Sequence, residues 1–118
     1  MYYKARDAAL SNGGPFHVAA YTRSCKGLIG VNDENRRTSH FRKRYPNSDL
    51  TYHEIHAEVD LILRLKEVPD HIHVVRFVKG GRPTMAKPCI HCQNFLRLKG
   101  VKRVKYTNWQ GEWEWLTL

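Results

Sequence analysis

Apolar and polar positions change their period several times along the chain, and each change marks an element. "YYKARDAALS" (2–11) mixes the two at helical spacing and stops at "NGGP", where glycine and proline break a helix. "FHVAAYTR" (16–23) and "GLIGVND" (27–33) are short apolar runs joined by "SCKG" and read as a hairpin. A polar, basic stretch runs from Asn35 to Asp49, with a turn at Pro46-Asn47. "YHEIHAEVDLILRLKEV" (52–68) is the clearest helix. Ile55, Val59 and Ile62, joined by Leu63 and Leu65, form its apolar face, and Pro69 ends it. "HIHVVRFVK" (71–79) is a buried β-branched strand that turns at Gly80-Gly81. A third helix covers 89–99 and is capped by Gly100. "VKRVKYT" (101–107) is another strand, and "NWQGEWEWLTL" is a terminal turn with a short strand or helix whose tryptophans are expected to pack. Strands alternating with helices at this spacing predict one α/β domain over residues 1–118, a three-layer α/β/α sandwich around a mixed sheet.

Composition narrows the class. No apolar run reaches membrane-spanning length, and "MYYKARDAAL" has no signal-peptide core. Three cysteines are too few and too odd for a disulfide scaffold. A reducing, cytoplasmic setting is therefore expected, where a C-x-x-C pair binds metal or does chemistry. Twenty Lys and Arg against eleven Asp and Glu leave a net charge of +9, which suits an anionic partner, a nucleotide or a nucleic acid. The charge concentrates in "NRRTSHFRKRY" (35–45) and "LRLKGVKRVKY" (96–106).

The chemistry-bearing residues sit at two helix starts. Cys89 and Cys92, preceded by Pro88, share the first turn of the third helix; His56 and Glu58 lie early in the central helix. Packed on one side of the sheet with their starts together, these helices would bring one imidazole and two thiolates to a point, and positive helix ends favour thiolates. Three protein ligands suit a catalytic Zn2+ site with one position open to water, whereas a structural site needs a fourth; His91 or His53 are the available candidates for it. Zinc lowers the pKa of water toward neutrality, and Glu58, beside the metal rather than on it, suits the role of proton carrier. A thioredoxin-like redox pair fits poorly, because "GGRPTMAKP" separates the preceding strand from Cys89. His53 and His56 are three apart and do not form H-E-x-x-H. His71 and His73 share a strand face and are expected to pack or face solvent; Cys25, in the hairpin turn, is expected to be an ordinary free thiol.

"HAE" (56–58) followed by "PCIHC" (88–92) has the H-x-E…P-C-x-x-C form of zinc-dependent base deaminases. The chain resembles the cytidine/deoxycytidylate deaminase superfamily from about Phe16 to Thr107. "IHAEVDLIL" and "MAKPCIHCQNFLRLKGVKRVKYT" look most like small phage-type members described as dCMP deaminase-like. The resemblance implies a cytidine deaminase-like fold, with His56, Cys89 and Cys92 as zinc ligands and Glu58 as general acid/base. It also implies that Ala57 backs the cytosine ring. Asn35 would contact the sugar, since N-x-x-T-S-H (35–40) is similar to the N-x-x-K-T-H of phage-type members; Asn32 is the second choice. Arg37 and Arg42, with Arg36, Lys43 and Arg44, would clamp phosphate from the loop before the catalytic helix. A phage-encoded chain would act in the host cytoplasm.

The expected reaction is hydrolytic conversion of cytosine to uracil in a (deoxy)cytidine nucleotide such as dCMP. The alternative is the same reaction on cytosine in single-stranded DNA or RNA, which the charge and aromatic content suit. A non-catalytic zinc module that binds nucleic acid is the reading from another class; it gives Glu58 no task. Free-nucleotide members of the superfamily are commonly oligomers, so a homo-oligomer is compatible with the first reading.

Overall fold

The computed structural model describes residues 1–11, 17–32 and 56–118. Within them the elements are α1 (Tyr2–Leu10), β1 (His17–Tyr21), β2 (Ile29–Val31), α2 (Ala57–Arg64), β3 (His71–Phe77), β4 (Pro83–Thr84), α3 (Ile90–Lys99), β5 (Arg103–Thr107) and β6 (Trp113–Thr117). The six strands make one mixed sheet in the order β2-β1-β3-β5-β6, with β4 paired to β3. Only β3 and β5 run parallel; the other pairs are antiparallel. The expected α/β class with a mixed sheet is therefore what the chain forms.

Strand β3 organises the core because it is buried on both sides. Ile72 and Val74 join Val59, Leu61 and Ile62 of α2, Phe95 and Leu96 of α3, and Val104 in one cluster. Val75 and Phe77 join Ala5 and Ala9 of α1, Ala19 and Tyr21 in another. Period-two alternation sends successive β3 side chains to opposite faces. Two parallel strands need a crossover, and α3 supplies it between β3 and β5.

The central helix is shorter than its sequence pattern. Residues 52–55 lie outside the described residues, and α2 stops at Arg64, four residues before Val68. Leu65 turns extended at φ −82° and ψ 140°. Leu63 and Leu65 still pack on the core, but Lys66, Glu67 and Val68 are exposed, and helical turns without packing gain little. The chain instead reaches Asp70, whose carbonyl accepts from the amides of Lys102 and Arg103 at 2.8 and 3.2 Å. Strand β3 ends at Phe77, because Val78 donates to the Arg82 carbonyl and starts the turn into β4. The last segment forms the strand option, β6. Its tryptophans do not all pack: Trp113 joins the second cluster, while Trp109 and Trp115 are 63% and 48% exposed. Strand β6 is a sheet edge, and α1 packs on β1, β2 and β3, so the outer part of that face is left uncovered by α1.

Helix α2 is pinned to β2. The Asp60 carboxylate accepts from the Val31 amide at 3.1 Å, and Arg64 beside it donates to the Ile29 carbonyl at 3.0 Å. Gly30 lies under the helix. A Cβ there would meet the Ala57 carbonyl oxygen, and would stand 2.6 Å from the Leu61 nitrogen. We expect Gly30→Ala to lower unfolding free energy by about 1–3 kcal/mol, the usual cost of overpacking, as measured by denaturant titration. Gly27→Ala, where a Cβ meets open space but φ is positive, separates strain from crowding.

His73 is buried, as packing. It stacks on Tyr21 at 4.9 Å between centroids and meets Trp113 edge-on. Burial first, then His71, Arg23 and Lys105, hold its pKa down to about 4. A depressed histidine favours the fold fully above its unfolded value near 6.5 and loses that contribution as pH falls through about 4. Unfolding free energy should therefore decline between those values, by an amount on the order of 3 kcal/mol for this group. His73→Gln should flatten that decline relative to the unmodified chain in parallel denaturation series.

Candidate metal centre

Two helix starts meet on the α2/α3 face of the sheet. His56 is the extended residue before α2, at φ −84° and ψ 154°. Cys89 holds the same place before α3, at φ −66° and ψ 164°. The approach to Cys89 is fixed by the sheet: the Thr107 hydroxyl donates to the Thr84 carbonyl at 2.6 Å, and the Ala86 amide to the Thr107 carbonyl at 2.8 Å. The Gln93 side-chain amide then donates back to the Pro88 carbonyl at 2.8 Å and closes the turn.

These supports bring three ligand atoms together. His56 Nδ1 is 3.1 Å from Cys92 Sγ and 3.7 Å from Cys89 Sγ. The Cys92 amide donates to Cys89 Sγ at 3.5 Å. All the ligand atoms lie within 4.8 Å of one another. Tetrahedral zinc with ordinary Zn–N and Zn–S bonds places such atoms about 3.5–3.8 Å apart, so the nitrogen and two sulfurs fit that ion. Among the described residues no fourth His, Cys, Asp or Glu joins the group. His91 is outside it, and His53 lies outside the described residues.

The sulfurs are already differentiated. Hydrogen bonding with Cys92, and then with His56, brings Cys89 down to about 4 against the opposing effect of burial. The same pairing and deep burial push Cys92 well up. Coordination needs both as thiolates.

A cavity of about 340 Å³ opens against the group. His56, Ala57, Glu58 and Cys89 line it, together with Asn32 and Arg76. Ala57 and Glu58 are 1% and 5% exposed. Burial raises the Glu58 pKa, while His56 and Cys92 nearby pull it back, so this carboxyl is placed to hold or release a proton beside the ligands.

Of the expected substrate contacts, Ala57 lines the cavity. Asn35, Arg37 and Arg42 lie outside the described residues, as do Arg36, Lys43 and Arg44. Asn32, the second choice, is in the wall, where its Oδ1 accepts from the Val18 amide at 3.1 Å. Two basic residues of the cavity, Arg76 and Lys87, escaped sequence reasoning. Arg76 carried a signal: in "HIHVVRFVK" it shares the face of Ile72 and Val74, an inward charge. Compared with models of known protein families, with curated proteins and with solved structures, the chain matches none.

We expect one zinc per chain, with Cys89→Ser or Cys92→Ser weakening it more than about 100-fold, since outer partners of metal ligands alone are worth 10- to 100-fold. Cys25→Ser, in the hairpin, should leave it unchanged; equilibrium dialysis with a chromogenic chelator reads both. Zinc uptake at pH 7 should release about one proton, from Cys92. Calorimetry in buffers of different ionisation enthalpy, on the Glu58→Gln protein, measures that number; about two would mean that Cys89 or His56 also carries a proton in the metal-free protein.

Proposed function

We propose that the chain is a zinc-dependent hydrolytic deaminase related to the cytidine/deoxycytidylate superfamily, converting the cytosine base of a free (deoxy)cytidine nucleotide, dCMP foremost, to uracil. The observation that carries this is buried Glu58 lining the same cavity as His56 and Cys89, two members of a three-ligand His-Cys-Cys group. A structural zinc site has no use for an adjoining buried acid. The placement of α1 in one apolar cluster and of α2 and α3 in the other also supports the three-layer α/β/α arrangement of that superfamily.

His56, Cys89 and Cys92 would hold the ion, which when bound supplies Lewis acidity that brings water ionisation toward neutral pH. Glu58, as carboxylate, takes a proton from the attacking water and passes it to ring N3 as the C4–O bond forms. It then shuttles the remaining proton to the exocyclic nitrogen; the C4–N bond breaks, ammonia leaves and the C4 carbonyl of uracil remains. Water and cytosine thus give uracil and ammonia with no redox change. Ala57, with only a methyl group, leaves room for the ring. Asn32, in the cavity lining, would contact a sugar hydroxyl, and Arg76 and Lys87 give the cavity positive charge that suits a phosphate.

Zinc-loaded protein should be offered cytidine, deoxycytidine, dCMP, dCTP and a cytosine-containing single-stranded oligonucleotide, with uracil product quantified. Turnover of dCMP is expected, and Glu58→Gln should keep zinc and fold while losing about 10²–10⁴ in kcat. Turnover of the oligonucleotide alone would transfer the assignment to nucleic-acid editing, which the net charge of +9 favours. Silence on every cytosine substrate with zinc bound would defeat the proposal.

A further inference from the structure

A second concave surface lies on the other side of the sheet. The metal centre and its cavity involve Ala57, Cys89 and Cys92, which pack in the α2/α3 cluster. The opposite side chains of β3, β5 and β6 are His71 and His73, Arg103 and Lys105, and Trp113 and Trp115. Register places Tyr21, His73, Lys105 and Trp115 in one row across four strands. The rings are gathered: His71 meets Trp115 at 5.4 Å, and His73 meets Trp113 at 5.4 Å. The cations sit over them, Arg103 4.5 Å from the Trp115 centroid and Lys105 5.4 Å from it. A depression of about 400 Å³ continues this face between Tyr21, Arg23, Lys26, His73 and Trp113.

We propose that this face binds a single-stranded polynucleotide, independently of the chemistry at the metal centre. Three features select that occupant. First, no carboxylate of the described residues pairs with Arg23, Lys26, Arg103 or Lys105, so the face carries net positive charge that matches a phosphate backbone. Second, Trp115 is 48% exposed at the end of a four-strand row. Sheets with exposed rings accept unpaired bases by stacking. A duplex hides its base faces, and an acidic peptide matches the charge but not the rings. Third, the depression beside the row is lined by Arg23 and Lys26 as well as by Tyr21 and Trp113, so charge and rings continue beyond Trp115. Stacking and phosphate pairing do not read the 2′-hydroxyl, so DNA and RNA strands should bind alike.

The test uses the full zinc-loaded chain and fluorescein-labelled oligothymidylate and oligouridylate of about 15 nucleotides, a length within the usual site size. Neither contains cytosine, so binding is read apart from turnover, and a failure of deamination leaves the outcome intact. Both strands should bind by anisotropy and quench tryptophan fluorescence. Trp115→Ala should weaken them about 5- to 100-fold. Arg103→Ala with Lys105→Ala should lower the slope of log affinity against log salt by about 1.4, two phosphate contacts on a single strand. Zinc content and melting temperature serve as fold controls for these positions. Binding that none of the three substitutions moves would overturn the proposal, as would a duplex bound as tightly as the single strands. A self-associating chain that Trp115→Ala turns monomeric, with strand binding unchanged, would assign the face to a second copy and overturn it equally.

Discussion

His56 and Cys89 play the same part on two helices: each is the extended residue immediately before the first helical turn. That shared position is the constraint on which the centre depends. A residue before a helix points its side chain across the helix start, where free amides and the helix dipole favour negative charge. Two thiolates close together are costly unless something compensates. Here the Cys92 amide donates to Cys89 Sγ, and the imidazole of the other helix completes the group. The centre therefore requires α2 and α3 to begin at one place, and the sheet enforces it. Gly30 lets β2 lie directly under α2, and the Thr84–Thr107 contact leads the chain into Cys89.

The same helix turns two nearby carboxyls to different ends. Glu58 and Asp60 are both buried. Asp60 accepts from the Val31 amide and lies beside Arg64, and so ties α2 to β2. Glu58, two residues earlier, faces the cavity and lies against the ligand sulfurs, where burial favours its protonated form. Two residues on a helix are about 200° apart, which is enough to give one acid to architecture and the other to the site. Sequence shows both acids but not this division, because it depends on which neighbour each finds.

Much of the site was legible because it is written in local signals. Pro88 before Cys89, the i, i+3 spacing of the sulfurs and the His56-Ala57-Glu58 stretch all lie within one or two helical turns. Elements whose limits depend on distant packing were not. The helical pattern runs to Val68, yet α2 stops at Arg64, where burial ends. Strand β4 is two residues long and has no period to detect; it exists because β3 extends past its pairing with β5. The tryptophans were expected to pack, and Trp115 does not, because exposure on an edge strand depends on where α1 ends. Asn32 and Arg76 reach the cavity through sheet register, which no local motif announces. The expected phosphate clamp at Arg37 and Arg42 and the contact at Asn35 fall outside the described residues.

Strand β3 also decides what each side of the molecule can touch. Ile72, Val74 and Arg76 face the helices that carry the ligands, whereas His71, His73, Val75 and Phe77 face away from them. Because side chains alternate with period two, a one-residue slip of β3 would exchange the sets. Arg76 would leave the cavity, and His73 would enter the apolar cluster beneath α3. Neither face tolerates the other's residues: one needs a charge beside a cavity, the other a ring stacked on Tyr21. The register that places the cavity wall is therefore the register that assembles the basic, aromatic face behind it. A single strand's pairing fixes two surfaces of different chemistry, so substitutions on one can be read without disturbing the other.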